Sequence, residues 1–125
     1  MKKILGILGG MGPMASTEFL KTIYECNLAN LEQESPICIL YSDPTICDRT
    51  SAIINNSSKL LIKSLIDKFE ALEQIGVNKV VIPCITAHHF LPKLPLEMQN
   101  KVVSLIDIIV EEVLNTRKKY LLLCT

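Results

Sequence analysis

The 125-residue chain has no surplus of either charge: 13 Lys and Arg residues balance 13 Asp and Glu. Without a net basic field it carries no electrostatic footprint for nucleic acid or for an anionic membrane. Long apolar runs are missing too. Gly, Pro or a charged residue interrupts each run well short of the ~20 residues that a membrane-spanning helix needs. The opening Met1-Lys2-Lys3-Ile4-Leu5-Gly6-Ile7-Leu8 begins like a signal peptide, but its apolar run gives way to Gly9-Gly10, and no small-residue cleavage site follows a full apolar region. The expected compartment is cytoplasmic. CxxC pairs are also absent. The odd set Cys26, Cys38, Cys47, Cys84 and Cys124 matches neither a disulfide framework nor a zinc ribbon, so most are expected to be small buried hydrophobes. There is no internal repeat, linker or low-complexity stretch.

Apolar residues are what the chain has in quantity. The hydrophobic fraction is 49% and the mean hydropathy +0.33, beside an ordinary 21% of charged residues. That balance excludes disorder and suits one domain with a real core. The excess fits a well-filled core or a surface that something else covers.

Strand and helix patterns alternate. Lys3 to Leu8 reads as a strand, closed by Gly9-Gly10-Met11-Gly12-Pro13. A helix is expected over Met14 to Leu31, with Phe19, Leu20, Ile23, Leu28 and Leu31 at helical spacing and Pro13 in its first turn. Ile37 to Tyr41 is a second strand and Ser42 to Thr50 a polar loop. Ile53 to Ile75 reads as one long amphipathic helix that Gly76 ends as a C-cap. Lys79 to Pro83 is a third strand, and Cys84 to His89 opens a short helix. Val102 to Leu105 is extended, Asp107 to Thr116 helical, and Tyr120 to Cys124 a final strand. Apolar strands without alternation, separated by amphipathic helices, predict an α/β fold: a parallel sheet of about four strands with helices on both faces.

In such sheets ligands sit beyond the carboxyl ends of the strands, and three segments lie there. Gly9 to Pro13 is a Gly-rich strand-to-helix turn. A helix N-terminus there suits a carboxylate or phosphate. Gly10-x-Gly12-x-x-Ala15 also fits the dinucleotide fingerprint, with Asp43 as its acidic partner, and the bland alternative is a tight turn that binds nothing. Tyr41 to Thr50 contains Arg49, which can fork onto a carboxylate or pair with Asp43 or Asp48. In Pro83 to His89, Cys84 follows an apolar strand and precedes a helix start, a setting that favours the thiolate. It reads as an acid–base or nucleophilic thiol, as half of a Cys84–His88 hydrolase pair, or as a buried strand-end cysteine.

Taken together, Gly6-Ile7-Leu8-Gly9-Gly10-Met11-Gly12-Pro13, Asp43-Pro44 with Asp48-Arg49-Thr50, and Pro83-Cys84-Ile85-Thr86-Ala87-His88 resemble the aspartate/glutamate racemase family in order and approximate spacing. The resemblance covers the whole chain. It implies one domain of a two-domain fold with a pseudo-twofold axis and an active site in the cleft between the domains. Each domain supplies one cysteine, and the two thiols face opposite sides of the substrate Cα. No pyridoxal phosphate, other cofactor or metal is implied. Cys84 becomes the first-domain acid and base. Met11 and Gly12 hold a substrate carboxylate through backbone groups, Arg49 binds a carboxylate, and Thr86 and Ile85 line the pocket. Ile85 departs from the family pattern, which has Asn after the cysteine and so an amide for the substrate.

On this basis residues 1–117 form the first racemase-like domain, and residues 118–125 open a second domain that the chain does not contain. Cys124 stands where the family has no catalytic cysteine. The expected partner is a small, dicarboxylic amino acid, and the bare apolar surface predicts self-association as a homodimer. Two other readings compete. One is a truncated, non-catalytic racemase-like binding module. The other is a Rossmann-like nucleotide-binding enzyme resting on Gly10, Gly12 and Ala15, in which Pro13 and Pro83-Cys84-x-Thr86-Ala87-His88 have no role.

Overall fold

A computed structural model describes residues 3–116 and 118–123. Four strands form one parallel sheet: β1 (Ile4–Gly9), β2 (Ile37–Ser42), β3 (Lys79–Val81) and β4 (Val102–Val103). Their order is β2-β1-β3-β4. β1 pairs with β2 from Ile4↔Ile37 to Gly9↔Ser42 and with β3 from Leu5↔Lys79 to Ile7↔Val81. The chain leaves β1 for one side to make β2, then returns past it to make β3. That reversal is a topological switch point between β1 and β3, where open α/β sheets place ligands.

Helices cover both faces, as the unalternating strands require. Alternate residues of a strand face opposite sides of its sheet. A Cβ on Gly6 would meet Leu72 of α3 (Lys59–Ile75), whereas one on Gly9 would meet Ser16 of α1 (Pro13–Glu25). The two helices therefore lie on opposite faces. α3 carries the core: Leu61, Leu65, Phe69 and Leu72, spaced at three and four residues, are fully buried with Leu8, Val80 and Ile82. Gly76 closes α3 in the left-handed conformation (φ 91°), as its C-cap role requires.

Several boundaries differ from the sequence reading. α1 ends at Glu25, not Leu31, and Leu28 and Leu31 are exposed. Their helical spacing has no surface to bury against, and Asn27 instead donates from its side chain to Ser35 Oγ at 3.1 Å. The single helix expected over Ile53 to Ile75 is two, α2 (Arg49–Ile54) and α3. Asn55-Asn56-Ser57-Ser58 separates them, and Asn56 adopts φ 50°. Asn and Ser bond to nearby backbone and so favour such breaks. The Ser42 to Thr50 loop is shorter than expected, because Asp48 caps α2 by accepting from Ser51 N–H at 2.7 Å. A one-turn α4 (Ile85–His88) follows Cys84, and α5 (Leu96–Lys101) lies in a stretch to which the sequence reading assigned no element. α6 (Leu105–Asn115) starts two residues early, where the Ser104 hydroxyl accepts from Asp107 N–H. Of the expected final strand, residues 120–123 have no strand structure, and Leu121, Leu122 and Leu123 are exposed. Cys124 lies outside the described residues, as does Arg117 at the expected domain boundary. Among the described residues no helix is long and apolar enough to cross a membrane.

Candidate functional site

The β1/β3 pairing sets the two chemically distinctive turns side by side. Ile7 is in register with Val81, so Gly9-Gly10-Met11-Gly12 and Ile82-Pro83-Cys84 leave the sheet together at its carboxyl edge. The first turn is rigidly built. Gly10 has φ +95°, and a Cβ there would lie 2.2 Å from the Asp43 carbonyl oxygen. Only glycine meets both conditions. Ser16, 1% exposed, closes the turn from inside: its hydroxyl accepts from Gly10 N–H at 3.0 Å and donates to Gly12 C=O at 2.9 Å. Met11 is buried. Gly12 is exposed at the N-cap of α1, and nothing lies within 4 Å of where its Cβ would be. Pro13 follows as the first helical residue. Gly12 thus leaves open space at the N-terminus of a 13-residue helix, a setting that suits a carboxylate.

Cys84 is the extended N-cap residue of α4 and is half-buried. It opens onto a groove of about 420 Å³ lined by Ala15, Phe19, Thr22, Cys84, Ile85 and Leu105, among others. Ile85 is 52% exposed and forms part of this wall. Thr86, one residue on, is exposed. None of the described cysteines is buried: Cys26 and Cys47 are exposed, Cys38 and Cys84 half-buried. The expectation that most are small buried hydrophobes therefore fails for Cys26, Cys38 and Cys47, which stand at a helix end, on an edge strand and in a loop, while Cys84 stands in a cleft wall.

Arg49 is the first residue of α2, which packs against α4. Its Nη1 donates to the carbonyl oxygens of Cys47 at 3.3 Å and Ile46 at 3.5 Å. That orients the guanidinium from one nitrogen of its fork. Among the described residues it forms no ion pair with Asp43 or Asp48, and no hydrogen bond joins it to Cys84. Asp43 pairs with Lys68 at 3.1 Å and accepts from the Thr45 amide at 2.8 Å and hydroxyl at 2.6 Å. The Thr45 and Lys68 bonds hold its carboxyl down at about 2. This carboxylate is taken up by its own loop, which weakens its role as the ribose ligand of a dinucleotide site. Asp48, the cap of α2, is likewise held below the usual carboxylate range by the Ser51 bonds.

Sequence reasoning missed two structural partners of the site, Ser16 and Leu105. A serine six residues after Gly10 gives no signal without knowledge that the turn folds back over it. The Cys84–His88 hydrolase pair is not formed. His88 Nδ1 bonds the Cys84 carbonyl at 2.9 Å and Nε2 bonds Leu105 N–H at 3.2 Å, so neither nitrogen serves the thiol.

Comparisons with known proteins bear on the family and the fold. The model of the Asp/Glu/hydantoin racemase family matches residues 8–125. The chain is 29% identical over 126 aligned residues to the broad specificity amino-acid racemase RacX of Bacillus subtilis (strain 168), across 98% of this chain and 54% of that protein. Among solved structures, the aspartate racemase of Picrophilus torridus superposes with a TM-score of 0.78 at 29% identity, covering 87% of this chain and 46% of that one. An aspartate racemase homologue from Pyrococcus horikoshii OT3 gives a TM-score of 0.69 at 29% identity, covering 91% and 49%. The chain thus spans about half the length of the relatives it matches.

Proposed function

Because this chain belongs to the Asp/Glu/hydantoin racemase family, we propose that it supplies one wall of an amino-acid racemase site, with Cys84 as the acid–base group on one face of the substrate Cα. The observation that carries the reading is the placement of a half-buried thiol and an anion-suited turn on adjoining strand ends at the switch point. The Met11–Gly12 backbone and the first turn of α1 hold the α-carboxylate. The Cys84 thiolate then takes the α-proton: the Cα–H bond breaks, an S–H bond forms, and the electron pair moves into the carboxylate as an enediolate. Preorganised N–H donors stabilise that charge best where water is excluded. Return of a proton from the opposite face completes the inversion, and one thiol cannot reach both faces of a held substrate. The second acid therefore comes from the other half of a two-domain site, after a boundary near residues 117–118, or from a second copy in a homodimer. Ile85 lines the pocket, Thr86 stands exposed next to it in the chain, and the free side of the Arg49 fork takes a side-chain carboxylate.

Chiral chromatography of the native protein incubated with single enantiomers of aspartate and alanine tests the proposal. Conversion of either amino acid supports it, and failure to convert any amino acid across a panel of single enantiomers contradicts it. Arg49→Ala should raise KM for aspartate by about tenfold or more over its effect on alanine, since a charged hydrogen bond of roughly 1.5–3 kcal/mol is lost. Equal effects on both substrates would remove Arg49 from the side-chain pocket and, with it, the preference for a dicarboxylic substrate.

A further inference from the structure

We infer that His88 is a positioning residue, a clamp that holds the Cys84 turn against the first residue of α6. The inference rests on the reading of Cys84 as the acid–base thiol. The imidazole is 3% exposed and both ring nitrogens are used. A backbone N–H only donates, so Nε2 is the acceptor for Leu105 at 3.2 Å. In a neutral imidazole the other nitrogen then carries the proton, and Nδ1–H donates to the Cys84 carbonyl at 2.9 Å. The same carbonyl accepts Ala87 N–H at 3.1 Å.

Both ends of this bridge belong to the groove: Cys84 and Leu105 line it from two different segments. β3 and β4 pair only at Val80↔Val102 and Val81↔Val103. Backbone pairing therefore stops before either residue, and the imidazole continues the connection beyond the sheet. Leu105 N–H is also a first-turn donor of α6, with no partner inside its own helix. The Ser104 hydroxyl serves Asp107 instead. One ring thus fixes the backbone of the thiol and the facing wall of the groove together. Proton transfer depends steeply on placement, and a 1 Å error costs on the order of 10²-fold. His88 accordingly acts through the position of Cys84 and not as an acid or base.

Three substitutions separate the two bonds. H88A removes both. H88N places an amide N–H where Nδ1 stands and keeps the bond to Cys84. H88Q offers a carbonyl oxygen to Leu105 and loses the bond to Cys84. Alkylation by iodoacetamide is followed at each cysteine by mass spectrometry, together with α-proton exchange. In H88A, Cys84 should alkylate at least ~fivefold faster through local opening, while half-buried Cys38 in β2 keeps its rate. H88N and H88Q each lose one end of the clamp, so Cys84 should alkylate faster in both than in the unaltered protein. The exchange kcat should fall about 10- to 100-fold in H88A with KM little changed, and by a smaller factor in H88N and H88Q. Should H88A fail to fold, the ¹⁵N spectrum of the unaltered protein decides: a proton on Nδ1 and a bare Nε2 are expected, and the reverse overturns the clamp. It is also overturned if Cys84 alkylation is unmoved in H88A, if Cys38 accelerates in parallel, or if H88N or H88Q, with one bond alone, matches the unaltered protein. Absence of α-proton exchange in the unaltered protein, with the alkylation pattern intact, removes the racemase reading and leaves the clamp standing.

Discussion

The turns after β1 and β3 leave neighbouring strands at the same edge of the sheet and are built in opposite ways. The β1 turn is sealed: Gly10 lies against the Asp43 backbone, and buried Ser16 bonds both Gly10 and Gly12. The β3 turn is open, with Cys84 half-buried and Ile85 and Thr86 exposed. A turn proposed to bind a carboxylate must hold its amides in fixed directions before the ligand arrives, and the rigidity of the β1 turn suits that role. In the proposed role the Cys84 thiol must reach its substrate, which a place in an open wall, held from behind, allows. Substitutions in the first turn should therefore cost folding, and substitutions in the second should cost chemistry.

The largest effect on stability is expected from Gly10→Ala. The added methyl meets the Asp43 backbone at 2.2 Å in a left-handed conformation, and a loss of about 3–5 kcal/mol follows. Gly12→Ala, two residues on, meets nothing within 4 Å and should cost ~1 kcal/mol or less, mainly as a poorer N-cap. Urea unfolding of the two variants sharpens the comparison, and equal losses would break it. Ser16→Ala comes next. It leaves the buried Gly10 N–H and the Gly12 carbonyl without their hydroxyl partner, a cost of about 2–3 kcal/mol, and the same unfolding experiment reads it.

The smallest effect concerns Asp43, which ties the β2 loop to Lys68 beneath the first turn. Its carboxyl is lowered from 3.8 to about 2 in the folded protein. A depressed folded-state value contributes stability above the unfolded value and loses it as pH falls through the folded one. The contribution is therefore full above about pH 4 and fades towards pH 2. Asp43→Asn should be less stable than the parent at pH 6, and the gap should close near pH 2. A gap that stays constant over that range would show that the ion pair and Thr45 bonds do not set the titration.

Much of this architecture was legible in the residues. Unalternating strands announced a parallel sheet covered on both faces, and Gly9 to Pro13, Arg49 and Cys84 marked the turns at its carboxyl edge. The failures share one physical origin. The periodicity that suggested a helix through Leu31 reports apolar spacing and not whether a surface exists to bury it, so Leu28 lies exposed. Asn55 to Ser58 interrupts a helical pattern through the positive φ of Asn56, a conformation that Asn tolerates and that an apolar count does not weigh. Ser16 and His88 act through partners that the fold brings together from other turns and strands. His88 looked like a partner for the Cys84 thiol because four-residue spacing sets side chains together on a helix. In the folded chain it reaches the Cys84 carbonyl instead.

α6 shows the limit of the same reasoning from another side. Ile108, Ile109 and Val113 fall at helical spacing as the core residues of α3 do, yet no α6 residue is buried among the described residues. The sequence excess of apolar residues is thus divided between a filled core under α3 and a bare helix beside the groove.

The most direct measurement is deuterium wash-in at the Cα of single enantiomers in D₂O, comparing the native protein with Cys84→Ser. General acid–base groups contribute roughly 10²–10⁴-fold, so the substitution should reduce exchange and inversion by at least ~10²-fold. Its unfolding free energy should shift by less than ~1 kcal/mol, because the thiol stands in an open wall. Exchange with inversion that survives in Cys84→Ser at the native rate would contradict the assignment of this thiol to the chemistry.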